Sequence, residues 1–250
     1  MSSLCARNHV TEMDVLMVET PKATESYVPV PYSDVIDLVK VSAEKHLSNY
    51  VVEEKEYGLA RDGQQLFGVY HMARKEEENL IAKEVEMDAL RISIGFRGSH
   101  DKSLALGVIC GASVFVCDNL MFHTSGYQAI RRHTKNVATD FDYLVWQALA
   151  KADMQFGKHN EARLALKEVE VSTEAGYEML GRMFGHKLLT PVQMSGAVAD
   201  WREPEHEVFD TRNAWSLYNA MTLGLKKGSP SLVINRYTKA HDWAMEEFLN

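Results

Sequence analysis

Side chains that could do chemistry are concentrated between residues 97 and 124. The first group is a run of five polar residues: Ser99, His100, Asp101, Lys102 and Ser103. The second group follows a mostly apolar stretch and consists of Cys117, Asp118 and Asn119. Cysteine, histidine and aspartate can together supply a nucleophile, its base and the carboxylate that orients the base. The same residue types also close tight turns, because short polar side chains hydrogen-bond to neighbouring backbone groups.

Two hypotheses therefore stand side by side for these groups. In the catalytic hypothesis, Cys117 is the nucleophile, His100 is the base and Asp101 orients it. In the structural hypothesis, the residues form polar turns at the two ends of a buried strand, and the turn-forming set is Ser99, His100, Asp101, Ser103, Asp118 and Asn119. The chain has no G-x-S-x-G nucleophile elbow, so the sequence favours the structural hypothesis.

Motifs for metal and cofactor binding are not found. Zinc ligands usually come in close pairs such as C-x-x-C, and Cys110 and Cys117 do not form such a pair. Neither glycine-rich phosphate motif, G-x-x-x-x-G-K-[ST] or G-x-G-x-x-G, is present. We therefore predict no metal and no cofactor, and we interpret the two cysteines as buried small side chains.

A basic segment follows the second polar group. The chain has no acidic residue between Asp118 and Asp140. Single-strand nucleic-acid sites combine cations that bind phosphates with aromatic rings that stack on bases. The candidate set for such a site is Arg97, Lys102, Phe122, Tyr127, Arg131, Arg132, His133 and Lys135. The alternative is a solvated basic turn that balances acidic neighbours, and a smaller basic group occurs at Lys226, Lys227, Arg236 and Lys239.

Overall charge limits how nucleic acid could be bound. The net charge is −8 and the pI is about 5.7, which argues against binding over the whole surface and allows only a local groove. Acidic residues cluster at 53–56 and around 76–86. A second hypothesis is therefore a protein that binds and inhibits another protein through an acidic surface.

Compartment and membrane association can also be addressed from the sequence. Three cysteines indicate reduced thiols, as in the cytoplasm, and not a disulfide framework. The first residues lack the basic-then-apolar layout of a signal peptide. The longest apolar run, 104–117, is too short to span a bilayer.

The hydrophobic pattern predicts a sheet in the first half of the chain. Residues 1–27 are predicted to be irregular, and Ser33 is predicted to cap a helix. Alternating apolar residues predict a hairpin of strands 52–60 and 65–73 around Asp62-Gly63, followed by a strand at 87–99. Residues 104–110 are predicted to form a strand or a short helix and residues 113–117 a buried strand, with a break at Gly111-Ala112-Ser113 between them.

Helical spacing dominates the second half. A helix is predicted from Asp140 to about Val169 with a break near residues 157–160. Further helices are predicted to begin at Ser172, at Thr190-Pro191, and after a cap at Asp210 or Thr211, and a last one closes the chain. The predicted fold class is α+β, with an antiparallel sheet domain at 28–138 and a helical region at 139–250 packed on it as one continuous domain.

Three motifs resemble a family of phage- and plasmid-borne proteins known only as a domain of unknown function. They are R-G-S-H-D-K-S at 97–103, V-F-V-C-D-N-L-M-F at 114–122 and R-R-H-T at 131–134. The segment at 27–31, the hairpin at 62–69 and the helix near 213–220 are also similar, so the resemblance extends from about residue 27 to residue 240. The chain departs from the family pattern at Gly98, where the family has Asn, and no role is carried over to that position.

The resemblance implies a mobile-element protein of the bacterial cytoplasm, and it implies no reaction. Together with the basic segment, it leads us to expect a phage-type accessory protein that binds single-stranded DNA or RNA in replication, recombination or annealing. The alternatives are an anti-defence protein that inhibits a host factor and an enzyme built on Cys117, His100 and Asp101. A homo-oligomer without membrane association is expected.

Overall fold

The protein is an antiparallel sheet followed by a largely helical second half. The computed structural model describes residues 9–75, 88–114, 120–121, 128–228 and 232–249. The strands in these ranges are β1 (His9–Val10), β2 (Tyr50–Ala60), β3 (Gln65–Arg74), β4 (Leu90–Ser99), β5 (Leu106–Val114), β6 (Leu120–Met121) and β7 (Gln128–Arg131). The helices are α1 (Glu12–Leu16), α2 (Tyr32–His46), α3 (Val137–Leu149), α4 (Ala152–Lys167), α5 (Thr173–Gly185), α6 (Pro191–Arg202), α7 (Ala214–Leu225) and α8 (Val233–Leu249). The predicted α+β class is confirmed.

The strands follow one another across the sheet in the order β1-β2-β3-β4-β5-β6, and β7 also pairs with β5. All neighbours are antiparallel. β6 pairs with Ala112 and Ser113, and β7 pairs with residues 106–109. Two short strands therefore share one edge of β5, and the second of them leads directly into the R-R-H-T motif.

The β2–β3 hairpin turns at the predicted dipeptide. Asp62 has φ 54° and Gly63 has φ 83°, the positive values that a two-residue type I′ turn requires at both central positions. The Gln64 N–H donates to the Arg61 carbonyl at 3.0 Å and closes the turn. Asp62-Gly63 thus determines both the place of the hairpin and its register.

Two apolar cores hold the sheet and the helices. The first lies between one sheet face and helices α2 and α3, where Ile94 and Phe96 of β4 are buried with Ile36 and Phe141. The second surrounds α7, with Trp215 and other large side chains, and it reaches the sheet at Ile109, Ala112 and Val114 of β5. β5 therefore contributes side chains to both cores, which explains its nearly continuous apolar sequence.

The predicted break at Gly111-Ala112-Ser113 is wrong. β5 runs without interruption from Leu106 to Val114, with Gly111 opposite Ser93 and Ser113 opposite Arg91 of β4. Small residues weaken a strand considered alone, but here strands on both sides supply the ladder hydrogen bonds. The second predicted segment, 113–117, continues beyond the described residues after Val114.

The start of the chain and the first helix differ from the prediction. Residues 9–16, expected to be irregular, contain β1 and α1, and Thr11 closes a capping box with Asp14 at the start of α1. α2 begins at Tyr32, and Pro31 occupies the N-cap position. Ser33 is therefore not the cap, and its hydroxyl instead donates to Asp34 at 3.1 Å.

In the second half, some predicted helix boundaries agree with the structure and others do not. α5 and α6 begin where predicted, and Ser172 and Thr190 are their N-caps. The predicted break at 157–160 is wrong, because those residues lie inside α4 and the interruption falls at residues 150–151. α7 is capped by Asn213, whose Oδ1 accepts from the Ser216 N–H at 2.9 Å, and not by Asp210 or Thr211. In the part of the chain that the structure describes, no helix combines the length and apolarity needed to cross a membrane.

Replacement of Gly68 tests the packing of the first core. A Cβ at Gly68 would lie 2.1 Å from Cζ of Phe96, so Gly68→Ala forces the ring or the strand to move. We expect the free energy of unfolding to fall by about 1–3 kcal/mol, measured by urea denaturation. Gly181→Ala is the control, because its Cβ would meet no atom within 4 Å, and it should raise stability by roughly 0.5–1 kcal/mol. Equal midpoints for the two variants would contradict this packing.

Candidate functional site

Three segments that are far apart in the sequence meet at one end of the sheet. The Tyr27 hydroxyl donates to the Ser99 carbonyl at 3.0 Å, and the His100 ring Nε2–H donates to the Val30 carbonyl at 3.1 Å. The Val28 N–H donates to the His133 carbonyl at 3.2 Å, and the His133 ring Nδ1–H returns a bond to the Val28 carbonyl at 3.2 Å. The segments at 27–31, 97–103 and 131–134 therefore form one unit. We call its side chains Tyr27, Tyr32, Ser99, His100, Asp101 and His133 the motif cluster.

The β2–β3 hairpin turn packs against the same unit. The His100 N–H donates to the Gln64 carbonyl at 2.8 Å, and the Tyr32 hydroxyl donates to the Gly63 carbonyl at 3.2 Å. Tyr32 is the first residue of α2, so the helix start, the hairpin turn and the β4–β5 turn are tied together. The motif cluster is thus positioned by the ends of regular elements.

Asp101 organises the β4–β5 turn. Its carboxylate accepts the Ser103 N–H and the Arg61 guanidinium, each at 3.0 Å, and also the Ser103 hydroxyl. Partial burial alone would raise the pKa of Asp101, but the hydrogen bonds from Ser103 and Arg61 outweigh it and lower the pKa below its usual value. Ser99 closes the turn from the other side, since its hydroxyl accepts from Leu104 N–H and donates to Leu104 carbonyl, both at 3.0 Å. Lys102, at the tip, has φ 65°.

The two histidines of the motif cluster are buried. The His100 ring stacks on Tyr32 with centroids 4.0 Å apart and planes 8° apart, and His133 lies 5.1 Å from the Tyr27 ring. Burial lowers the pKa of both imidazoles, although their hydrogen bonds to the Val30 and Val28 carbonyls oppose the shift. Near neutral pH both rings are therefore uncharged, and each has one nitrogen occupied by backbone. This arrangement suits structural side chains better than a general base.

The cations predicted to contact phosphates fall into two groups. Arg131 forms an ion pair with Asp140 of α3, and Arg97 lies against Gly107, its Nε 3.4 Å from where a Cβ on that glycine would be. Lys102, by contrast, is exposed, with Nζ 5.0 Å from the centre of the Tyr27 ring. Arg132 and Lys135 are exposed in the turn after β7. The structure brings these three exposed cations beside the motif cluster, and it places Arg97 and Arg131 in contacts within the fold.

Several predicted residues lie outside the described part of the chain. They are Cys117, Asp118, Asn119, Phe122 and Tyr127. The catalytic arrangement of Cys117 with His100 and the stacking role of Phe122 or Tyr127 therefore stay predictions. Cys110 is buried in β5 as predicted, and burial raises the pKa of its thiol to about 12, so it is not a nucleophile at neutral pH.

A second polar group, missed in the sequence, lies on the opposite face of the sheet. His71 Nδ1 is 2.8 Å from Ser93 Oγ and 3.0 Å from Ser113 Oγ, and His71 Nε2 is 3.3 Å from Glu56 Oε1. The register places His71 opposite Ser93, with Ser113 on the next strand. Serine, histidine and a carboxylate are the residue types of a hydrolase triad, but His71 and both serines are fully buried. We therefore interpret the group as a hydrogen-bonded polar part of the core.

The signal for the His71 group is present in the sequence only as alternation. His71 in β3, Ser93 in β4 and Ser113 in β5 each stand between two apolar neighbours, and none has a characteristic spacing to the others. Only the pairing of the three strands brings them together. Among the described residues, no three or more histidine, cysteine, aspartate or glutamate side chains are grouped so that they could hold a metal ion.

A family model matches most of the chain. The family model of a domain of unknown function, DUF932, matches residues 22–246. No curated protein and no solved structure matches the chain. The matched range includes all three segments that meet in the motif cluster.

The buried histidines predict a pH dependence of stability. Their folded-state pKa lies below the unfolded value of about 6.5, so the unfolded chain binds more protons as the pH falls. Their contribution to the free energy of unfolding is therefore constant above about pH 6.5. It decreases as the pH falls from there toward the folded-state pKa. We expect His100→Gln/His133→Gln to lose less stability between pH 7 and pH 5 than the wild type, measured by urea denaturation.

His186, which is exposed after α5, provides the control for this prediction. His186→Gln should keep the wild-type change between the two pH values. If the double variant also keeps the full change, the two buried rings are not its source.

Proposed function

The chain belongs to the DUF932 family, and we propose that it binds single-stranded nucleic acid through Lys102, Arg132 and Lys135. We call these three residues the basic rim. The observation that carries the proposal is their exposure beside the motif cluster without a carboxylate partner among the described residues. Phosphate oxygens are the natural partners of such cations.

Neighbouring cations show why the basic rim is informative. Arg61 is neutralised by Asp101 at 3.0 Å, and Arg131 is neutralised by Asp140. Around these turns, Arg61 and Arg131 therefore form ion pairs within the chain, whereas the three residues of the basic rim do not. The acidic net charge of −8 repels nucleic acid elsewhere, which restricts binding to a local contact of few phosphates.

The motif cluster has a positioning role in this proposal. Asp101 and Ser99 hold the β4–β5 turn, and Lys102 stands at its tip over the Tyr27 ring. Because His133 is bonded to Val28, the turn that carries Arg132 and Lys135 is held beside the same ring. Tyr27 is itself only 6% exposed and cannot stack on a base, so base stacking is assigned to Phe122 or Tyr127 as a further part of the proposal.

The resemblance to phage- and plasmid-borne proteins supports a role as an accessory protein in replication, recombination or annealing, in the bacterial cytoplasm. The alternative of an inhibitor with an acidic surface gains no support from the described residues. Arg91 binds Glu53 at 3.3 Å and Glu54 at 3.1 Å, so part of the acidic cluster at 53–56 is neutralised within the chain.

Fluorescence anisotropy with labelled single-stranded and duplex DNA and RNA tests the proposal. The variant is Lys102→Asn/Arg132→Gln/Lys135→Gln, with Asn chosen because it tolerates the positive φ of residue 102. Affinity for the single strand should fall at least tenfold at low salt. Loss of three phosphate contacts should also flatten the dependence of log K on log salt by roughly 2, from about 0.7 per contact.

A triple variant with the same charge change is the matched control. Lys45→Gln/Lys158→Gln/Arg202→Gln removes three exposed cations from helices α2, α4 and α6 and should bind as the wild type does. An equal loss in both triple variants would show that only net charge matters. Absence of wild-type binding at low salt would refute the proposed function.

A further inference from the structure

A small basic pocket lies between the C-terminal end of α5 and the start of α8. Its volume is about 220 Å³, and its lining residues are Lys187, Leu188, Leu232, Asn235, Arg236 and Lys239. Three of these side chains are cations, one is an amide and two are apolar. The pocket contains two residues of the smaller basic group seen in the sequence, Arg236 and Lys239, and adds Lys187 from a different element.

The charge in this pocket is not balanced within the described part of the chain. None of its lining residues is acidic, and none of its three cations is in an ion pair there. On the same two helices Arg182 does find a partner, Glu247, with its Nη2 at 2.8 Å. Like charges held together without a counter-charge repel one another, so an anion in the pocket would relieve a cost that the fold otherwise bears.

The backbone fixes the position of Lys187 at the end of α5. Lys187 has φ 60°, a conformation that usually favours glycine at the end of a helix. It is held by bonds of 3.0 Å from Lys187 N–H to Phe184 carbonyl and from Leu188 N–H to Met183 carbonyl.

The position of Arg236 depends on a glycine. Its Nη1 lies 2.9 Å from where a Cβ on Gly228 would be, and Gln193 Nε2 lies 2.8 Å from the same point. Any side chain at residue 228 would therefore displace the guanidinium. Gln193 is buried and donates to the Leu225 carbonyl at 3.3 Å, so it and Arg236 both border the space beside Gly228.

We propose that this pocket binds the phosphate group of a small phosphate compound, either free phosphate or a nucleoside monophosphate. A guanidinium can bind two phosphate oxygens at once, two ammonium groups add charge, and the Asn235 amide adds a neutral donor. Pockets for drug-sized ligands measure roughly 300–1,000 Å³, so this one accepts the phosphate and adjoining atoms while a base stays outside. The site is independent of the basic rim and of the proposed nucleic-acid function.

Isothermal titration of the 250-residue chain at constant ionic strength tests this site. The ligands are inorganic phosphate, adenosine monophosphate and adenosine. Phosphate and the monophosphate should bind, and adenosine should not. Tighter binding of the monophosphate would identify a nucleotide as the ligand and assign Leu188 or Leu232 a contact with it, whereas equal affinities would identify free phosphate.

Variants locate the binding in the pocket. Arg236→Gln and Lys239→Gln should each weaken phosphate binding at least tenfold, and Lys158→Gln, an exposed lysine of α4, should leave it unchanged. Lys239 is exposed, so its variant stays informative even if Arg236→Gln perturbs the packing at Gly228. The basic-rim triple variant should bind phosphate as the wild type does. Absence of phosphate and monophosphate binding, or an equal loss in Lys158→Gln, would refute the site.

Discussion

The register of β3, β4 and β5 is the constraint on which the rest of the structure depends. With His71 opposite Ser93 and Ile94 opposite Cys110, apolar side chains point to α2 and α3 and the polar group of His71 points to the other face. A slip of one residue would exchange the two faces. The same register brings the β4–β5 turn to the hairpin turn at residues 61–64, where the motif cluster forms. The family motifs therefore meet because the strands pair in this way.

Several carboxylates of this acidic protein neutralise its own cations. Asp88 is buried with Arg163 and Lys167, each at 3.0 Å, and Arg91 holds Glu53 and Glu54. Removal of one partner from a buried pair of this kind costs about 3–5 kcal/mol. The cations of the basic rim and of the α5–α8 pocket lack a carboxylate partner among the described residues, as Lys45 and Lys158 also do, and they differ from such isolated lysines in being grouped. The protein therefore has a net charge of −8 together with two local surfaces that are positively charged.

Local patterns predicted the elements better than their boundaries. Asp62-Gly63 and the alternation around it predicted the hairpin, since a turn with positive φ admits few residues. The starts of α5 and α6 at Ser172 and Thr190 were predicted, because the side chains that begin a helix act within one turn of the chain. The break expected in β5 is absent, since pairing with β4 outweighs the low strand propensity of Gly111. Gly157 lies inside α4 for a related reason, because tertiary packing outweighs the cost of one helical glycine.

By itself, the sequence determined the α+β class, the β2–β3 hairpin turn, the starts of α5 and α6, the motifs and the presence of basic residues near residue 131. These features depend on side-chain periodicity and on contacts within a few residues. Only the tertiary structure decided which cations are available to bind a ligand, because Arg131 forms an ion pair with Asp140 and Arg61 forms one with Asp101. It also decided that Lys187 joins Arg236 and that His71 joins Ser113. Such groupings arise from chain segments far apart in sequence, whose meeting depends on the pairing of strands and the packing of helices.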